Sequence, residues 1–218
     1  MAGTLKLYGY WRSAATYRVR IALALKGLAF EEVPIDLMAD AQFAGEVAIH
    51  NPAHAVPILV DGGPPLTQSL AIIEYLEERY PDPPLYPDEP SARAAARSFA
   101  LISIADAHPL QVPRVRRRLA SQIGASEGEI KAWSVHWCEL ALDCMEERLG
   151  ARQRQTPFCF GESPGIADIA LAGHLAGARA LGMTLERYPH VASVHQRCAA
   201  LDAFSRHAPE ALKPAGMD

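Results

Sequence analysis

The chain has 218 residues, half of them hydrophobic, which allows one or two domains with a substantial core. A formal net charge of −4 argues against a globally basic surface, and with it against a general nucleic-acid binder. No 18-residue apolar run and no basic leader with an apolar stretch behind it is found, so a cytoplasmic protein without a membrane segment is expected.

Leu5 to Tyr8 reads as a short strand that breaks at Gly9. A helix follows from about Ala14 to Lys26, with Val19, Ala22, Leu23 and Leu25 as apolar positions and Gly27 as its stop. Between the two lie Arg12, Ser13 and Thr16, hydroxyls and a guanidinium at a helix N-terminus. Unpaired backbone N–H groups there favour an anion, including a thiolate. The plainer alternative is a serine N-cap on an ordinary strand-to-helix turn. Arg18 and Arg20 flank Val19, and both are expected on an exposed face of the helix, as surface or interdomain salt-bridge residues.

Glu31–Ile35 reads as a second strand, and a polar loop with a short helix covers Gln42 to His50. Two prolines, Pro52 and Pro57, then forbid a helix. Ile58-Leu59-Val60 is an apolar strand, Asp61-Gly62-Gly63 a hairpin turn, and Pro65-Leu66-Thr67 the returning strand. Because Pro57 gives no ladder hydrogen bond, the Val56 backbone is either free to face a ligand or part of a plain edge strand. Gln68-Ser69 precedes a periodic helix with Ile72, Ile73 and Leu76. Ser69 stands at its N-cap, as a cap alone or as part of a carboxylate site. The order β-α-β-α-β-β-α predicts a small mixed sheet flanked by helices.

Pro81 to Pro90 holds five prolines in ten residues, a stiff linker. After it strand signals vanish. Helices are expected from Ser91 to about Leu119, broken near Pro109 and Pro113, then over Glu127–Leu149, Ile166–Leu181 and Val191–Leu201. Trp133, Trp137, Leu140 and Cys144 share one face of the second. The basic cluster Arg114 to Arg118 is a solvated helix face or an anion site. The expected division is 1–83, a linker at 84–90, and 91–218. Cys138, Cys144, Cys159 and Cys198 form no C-x-x-C pair, so no metal site and no redox dithiol is expected, and free thiols suit a reducing compartment.

Several of these pieces, taken in register from Tyr10 to Asp168, carry a resemblance. They are Tyr-Trp-Arg-Ser-x-x-x-x-Arg-Val-Arg-Ile-Ala-Leu, Asn-Pro-x-x-x-Val-Pro, Gln-Ser-x-Ala-Ile-Ile-Glu-Tyr-Leu-Glu, Asp106-Ala-His108-Pro109-Leu110-Gln111 and Ala167-Asp168. The chain resembles the zeta class of the cytosolic glutathione transferases, the class of the maleylacetoacetate and maleylpyruvate isomerases. The resemblance implies a thioredoxin-like α/β domain at 1–83 that binds glutathione, and an all-α helical bundle at 91–218 that takes the substrate. It implies glutathione as cofactor and a small diacid as substrate. A homodimer is also implied, with no nucleic-acid or membrane partner.

Residue by residue, the resemblance assigns Ser13 to the glutathione sulfur, and Gln68 with Ser69 to the γ-glutamyl carboxylate. The Val56 backbone is assigned to the cysteinyl part and Gln42 to the glycine end. Asp106 is assigned to the γ-glutamyl amine across a dimer interface. His108 and Arg114 fall where glutathione and substrate contacts lie, and Arg12 and Arg179 match arginines for the substrate carboxylates. Asp168 matches a capping-box aspartate. Ala14, Ala15 and Tyr17 stand where the class has Ser, Cys and Trp, and Thr16 is a candidate second hydroxyl for catalysis. The implied reaction is cis–trans isomerisation of a maleyl diketo acid by thiolate addition, rotation and elimination, in the catabolism of aromatic compounds. The alternatives are a transferase acting on electrophiles or α-haloacids, and a non-enzymatic binding protein. The last is disfavoured by the presence of Ser13 and Gln68-Ser69.

Overall fold

The computed structural model describes residues 4–215. Its packing divides the chain after Leu85 into two units, and the segment from Leu201 onward belongs with the first.

The first unit is a four-stranded sheet with helices. β1 (Leu5–Gly9) lies parallel to β2 (Phe30–Pro34) and antiparallel to β3 (Ile58–Val60), which pairs antiparallel with β4 (Leu66–Thr67). The strand order is β2-β1-β3-β4, a thioredoxin-like arrangement. Side chains alternate across the pleat. Tyr8 and Ile58 therefore meet Val47 on one face, joined by Val33, Ile35 and Val60, while Leu7 and Leu59 are fully buried on the other. Three helices belong to this sheet: α1 (Ala14–Leu25), α2 (Gly45–His50) and α3 (Ser69–Arg79). The Tyr8 hydroxyl donates to Glu46 on α2 at 2.7 Å, and this bond with burial raises its pKa to about 12.

Helix α1 departs most from its sequence reading. Ala15 through Leu23 are buried without interruption, Arg18 and Arg20 at 1% exposure each. The expected exposed face does not exist. A helix buried on all sides must find internal partners for its charges; Arg20 finds a carboxylate within the unit, and Arg18 finds only uncharged acceptors.

Beyond α3 the chain stays anchored. Lys26 Nζ donates to Glu77 at 2.8 Å and to the carbonyls of Tyr80 and Pro83 at 2.7 and 2.9 Å, and the Leu85 N–H donates to the same Glu77 oxygen. The C-terminal stretch was expected in the helical domain. Instead, Tyr17 on α1 donates to the Phe204 carbonyl at 2.9 Å, and His207 lies against Phe30. Phe204, 1% exposed, supplies a piece of the first unit's core.

The second unit is helical. α4 (Pro90–Leu101) is capped by the Glu89 carboxylate and runs into a π-helical turn, Ile102–Ala107. α5 (Pro113–Arg118) and α6 (Glu127–Gly150) follow, then α7 (Ile166–Ala180) and α8 (Pro189–Ala199). A short α9 (Asp202–Ser205) lies in the returning segment. The breaks fall at the expected prolines. The buried stripe of α6 is Ser134, Cys138, Ala141 and Met145, one residue past the expected face, while Leu140 and Cys144 are exposed. The bulky Trp133 and Trp137 flank it edge to face, Trp133 donating to the Leu110 carbonyl at 2.8 Å. α7 is buried along nearly its whole length. Asp168 at its start accepts from Gly165 N–H at 3.0 Å and Cys159 N–H at 2.9 Å, so one carboxylate caps the helix and pins the preceding loop. Burial raises its pKa against these donors.

Candidate functional site

Strand register decides where the site lies. Tyr8 pairs with Ile58, and Ile58 with Thr67. The residues after β1, before β3 and after β4 therefore emerge at the same end of the sheet. These are the Tyr10–Ser13 loop, Val56-Pro57 and Gln68-Ser69, three of the segments singled out in the sequence.

Ser13 is the N-cap of α1, with its hydroxyl oxygen accepting the Thr16 N–H at 3.2 Å. That bond occupies a lone pair and leaves the hydroxyl proton to point outward. Ser13 is half-buried and Arg12 beside it exposed. Thr16 corrects its assignment as a second catalytic hydroxyl. It is fully buried, and its Oγ1 accepts the Tyr10 N–H at 3.4 Å, so it braces the loop from beneath. Arg20 braces the same loop from further back. It forms a two-pronged ion pair with Glu32, with Nε to Oε2 at 2.8 Å, and donates to the Trp11 carbonyl at 3.3 Å. Gly9 permits this closeness, since a Cβ there would overlap Thr16 Cγ2 and lie 2.7 Å from Glu32 Oε1.

The Val56–Pro57 peptide bond is cis. Its loop is shaped by buried Asn51, which donates to the Ala55 carbonyl at 2.8 Å and accepts from Ala53 N–H at 3.0 Å. Gln42 is buried. Its amide donates to Asp40 at 3.1 Å, its Oε1 has no hydrogen-bond partner, and its carbonyl lies 3.3 Å from Nδ1 of His54.

Gln68, not Ser69, is the N-cap residue of α3. It holds φ 69° and ψ 116°, with its side chain exposed and making no cap bond. Such a backbone costs a non-glycine residue about 1–3 kcal/mol and persists where function needs it. Ser69 then opens the helix, 6% exposed, and its oxygen accepts from Arg18 Nη1 at 3.0 Å. Arg18 also donates through Nε to the Ala14 carbonyl at 3.3 Å, while its Nη2, equally buried, has no partner. Burial lowers the Arg18 pKa to about 10, which still leaves it charged at neutral pH. Arg18, Arg20 and Asn51 lie in the quoted motifs, but only the structure places them behind the candidate site.

The second unit carries the other candidates. Asp106 is exposed on the π-helical turn, a form frequent at functional positions. His108 follows it, half-buried, at the start of a 3-10 turn. Arg114 is exposed on α5 and Arg179 is exposed in the last turn of α7. Among the described residues no cluster of three His, Cys, Asp or Glu is arranged to hold a metal, and no helix is long and apolar enough to cross a membrane.

Within the first unit the arrangement suits a small anion. Two helix N-termini open at one end of a sheet, and each offers a serine whose oxygen is held from behind and whose proton remains for a ligand. Known proteins agree. Residues 3–78 match the family profile described as glutathione S-transferase, N-terminal domain, and residues 139–197 match its C-terminal domain. Maleylacetoacetate isomerase of Pseudomonas aeruginosa is 41% identical, covering 94% of this chain and 96% of its own. A crystal structure of maleylacetoacetate isomerase from Methylobacterium extorquens, with bound malonate and glutathione, is 43% identical. It has a TM-score of 0.93 and covers 98% of this chain and 100% of that one. The holo structure of a maleylpyruvate isomerase, described as a bacterial zeta-class glutathione S-transferase, is 37% identical, with a TM-score of 0.92 and coverage of 95% and 98%.

Proposed function

The chain belongs to the glutathione S-transferase family, in its zeta class, and from that premise we propose a glutathione-dependent cis–trans isomerase of maleylacetoacetate or maleylpyruvate. The observation that carries the reading is the pair of serine-bearing helix N-termini, Ser13 and Ser69, at one end of the sheet, in a chain whose relatives are named for this activity. The residues suit glutathione: Ser69 and the buried, partly unpaired Arg18 offer donors to a carboxylate.

Glutathione, when bound, supplies a thiolate that adds to the cis double bond, frees rotation about the bond and departs again. Everything else falls to the chain. Ser13 donates its hydroxyl proton to the sulfur, and the N–H groups opening α1 add positive potential. Together they raise the thiolate fraction near neutral pH. The N–H groups at the start of α3 and the Ser69 hydroxyl receive the γ-glutamyl carboxylate. The Val56 backbone pairs with the cysteinyl part, Gln42 serves the glycine end, and Gln68 presents the turn. In the helical unit, Asp106 serves the γ-glutamyl amine and His108 either ligand. Arg114 and Arg179, with Arg12 from the first loop, hold the carboxylates of the diacid, a task suited to permanently charged, forked guanidiniums. Malonate, the ligand beside glutathione in the Methylobacterium enzyme, is likewise a small dicarboxylate.

On this reading the unit up to Leu85 is the glutathione-binding domain and Tyr86–Ala200 the substrate domain. The enzyme works as a cytoplasmic homodimer in the breakdown of aromatic compounds. The deciding assay follows maleylpyruvate and maleylacetoacetate absorbance with catalytic glutathione while counting free thiol. Loss of the cis substrate at constant thiol supports the isomerase. Stoichiometric loss of thiol supports the transferase instead.

A further inference from the structure

Arg18 is a fully buried cation without a counter-ion. Among the described residues no carboxylate pairs with it, and it makes only two hydrogen bonds, to Ala14 and Ser69. A buried charge left so is costly, by several kcal/mol for an ion before compensation. Its neighbour two residues on shows the usual solution, since Arg20 is satisfied by Glu32. Arg18 faces instead the start of α3, an 11-residue helix whose first N–H groups lack intrahelical partners.

We infer that Arg18 is a positioning residue for the γ-glutamyl carboxylate of glutathione, which serves as its absent counter-ion. The inference rests on the glutathione reading above. Arg18 acts in two ways. By donating Nη1–H to the Ser69 oxygen it fixes that lone pair inward, so the Ser69 proton points to the ligand. By standing behind the serine with an unpaired N–H, it adds positive charge in a site screened from water, where electrostatic attraction is strong. Ser69 is thus held as a donor before the ligand arrives, and the ligand's negative charge relieves the buried cation. Helix dipole, serine and arginine act on one anion, across 51 residues of sequence.

The test compares two ligands on wild type, Arg18→Met and Arg18→Lys. One is glutathione. The other is 4-aminobutanoyl-cysteinyl-glycine, the same tripeptide without its γ-glutamyl carboxylate. Calorimetric titration of wild type is expected to show a strong preference for glutathione. In Arg18→Met the glutathione Kd rises about tenfold or more, the usual effect of losing a hydrogen bond to a charged group, while the analogue's Kd changes less than about twofold. Arg18→Lys falls between. Equal weakening of both ligands, or an unchanged glutathione Kd in a folded variant, overturns the assignment. If Arg18→Met does not fold, the wild-type protein carries the test by nitrogen NMR. The Arg18 side-chain signal is to shift with glutathione and not with the analogue, and a signal indifferent to glutathione overturns the inference. A wild-type protein that binds neither ligand overturns the glutathione reading itself, and this role with it.

Discussion

Replacing Lys26 by Met tests how the first unit is closed. The ammonium uses all three of its protons, on Glu77, the Tyr80 carbonyl and the Pro83 carbonyl. Both side chains are withdrawn from water, at 0% and 7% exposure. Methionine fills the stem's volume but leaves Glu77 a buried carboxylate without its ammonium partner and strips the Tyr80 and Pro83 carbonyls of that donor. Breaking one side of a buried pair costs about 3–5 kcal/mol, against a typical domain stability of about 5–15 kcal/mol. The expected fall in melting temperature is roughly 6–20 °C. Urea unfolding followed by fluorescence gives the free energy, and the double variant Lys26→Met/Glu77→Gln should recover much of it, because a neutral amide no longer needs a counter-charge. A single-variant loss below about 1 kcal/mol, the worth of an exposed pair, would refute the reasoning.

Three further outcomes are expected. Gly9→Ala forces a methyl onto fully buried Thr16 and onto Glu32, which Arg20 holds. Stability should drop by about 1–3 kcal/mol and turnover with it, as read by melting curves and the isomerase assay, and an unchanged melt would contradict the packing. Ser13→Ala should raise the thiol pKa of bound glutathione by about one unit, equivalent to ~1.4 kcal/mol, in a thiolate absorbance titration; an identical titration in the variant would remove the role given to that hydroxyl. The pKa of His207 is lowered from 6.5 by burial and then by Arg20, with Glu32 opposing and Arg206 adding. The unfolded chain therefore binds this proton more readily than the folded one below pH 6.5. Its contribution to stability is lost as pH falls through that value and levels off beneath the folded pKa. His207→Gln should flatten this part of the urea-midpoint profile, and equal slopes in the two proteins would rule the residue out.

The strands and the hairpin follow from local signals, such as alternation and Asp61-Gly62-Gly63, and these survive folding, whereas the Asp168 cap comes from the family resemblance. The candidate site's segments Ser13, Val56-Pro57 and Gln68-Ser69 each sit at a break in periodicity, while the roles given to them come from the family resemblance. What hid was whatever depends on distant partners. Arg18 and Arg20 look solvated in a helical wheel, since nothing near them in sequence marks Ser69 or Glu32 as their complements. Thr16 reads as a reachable hydroxyl until the chain folds over it. The α6 face shifts by one position because two large tryptophans dominate a count of hydrophobicity, whereas the buried stripe also takes in the small Ser134, Cys138 and Ala141. The return of residues 201–215 leaves no periodic trace, as it rests on a few scattered contacts, Phe204 and its carbonyl and His207 among them.

That return bears on the order of events at the ribosome. Tyr17 waits for the carbonyl of Phe204, so the unit built on residues up to Leu85 cannot complete its interior until the segment from Leu201 is made. At ~5–20 residues per second, the 121 positions from Leu85 to Arg206 impose a wait of roughly 6–24 s. A nascent chain stalled before Leu201 would carry the sheet with an open seam beside α1, which the segment from Leu201 onward closes.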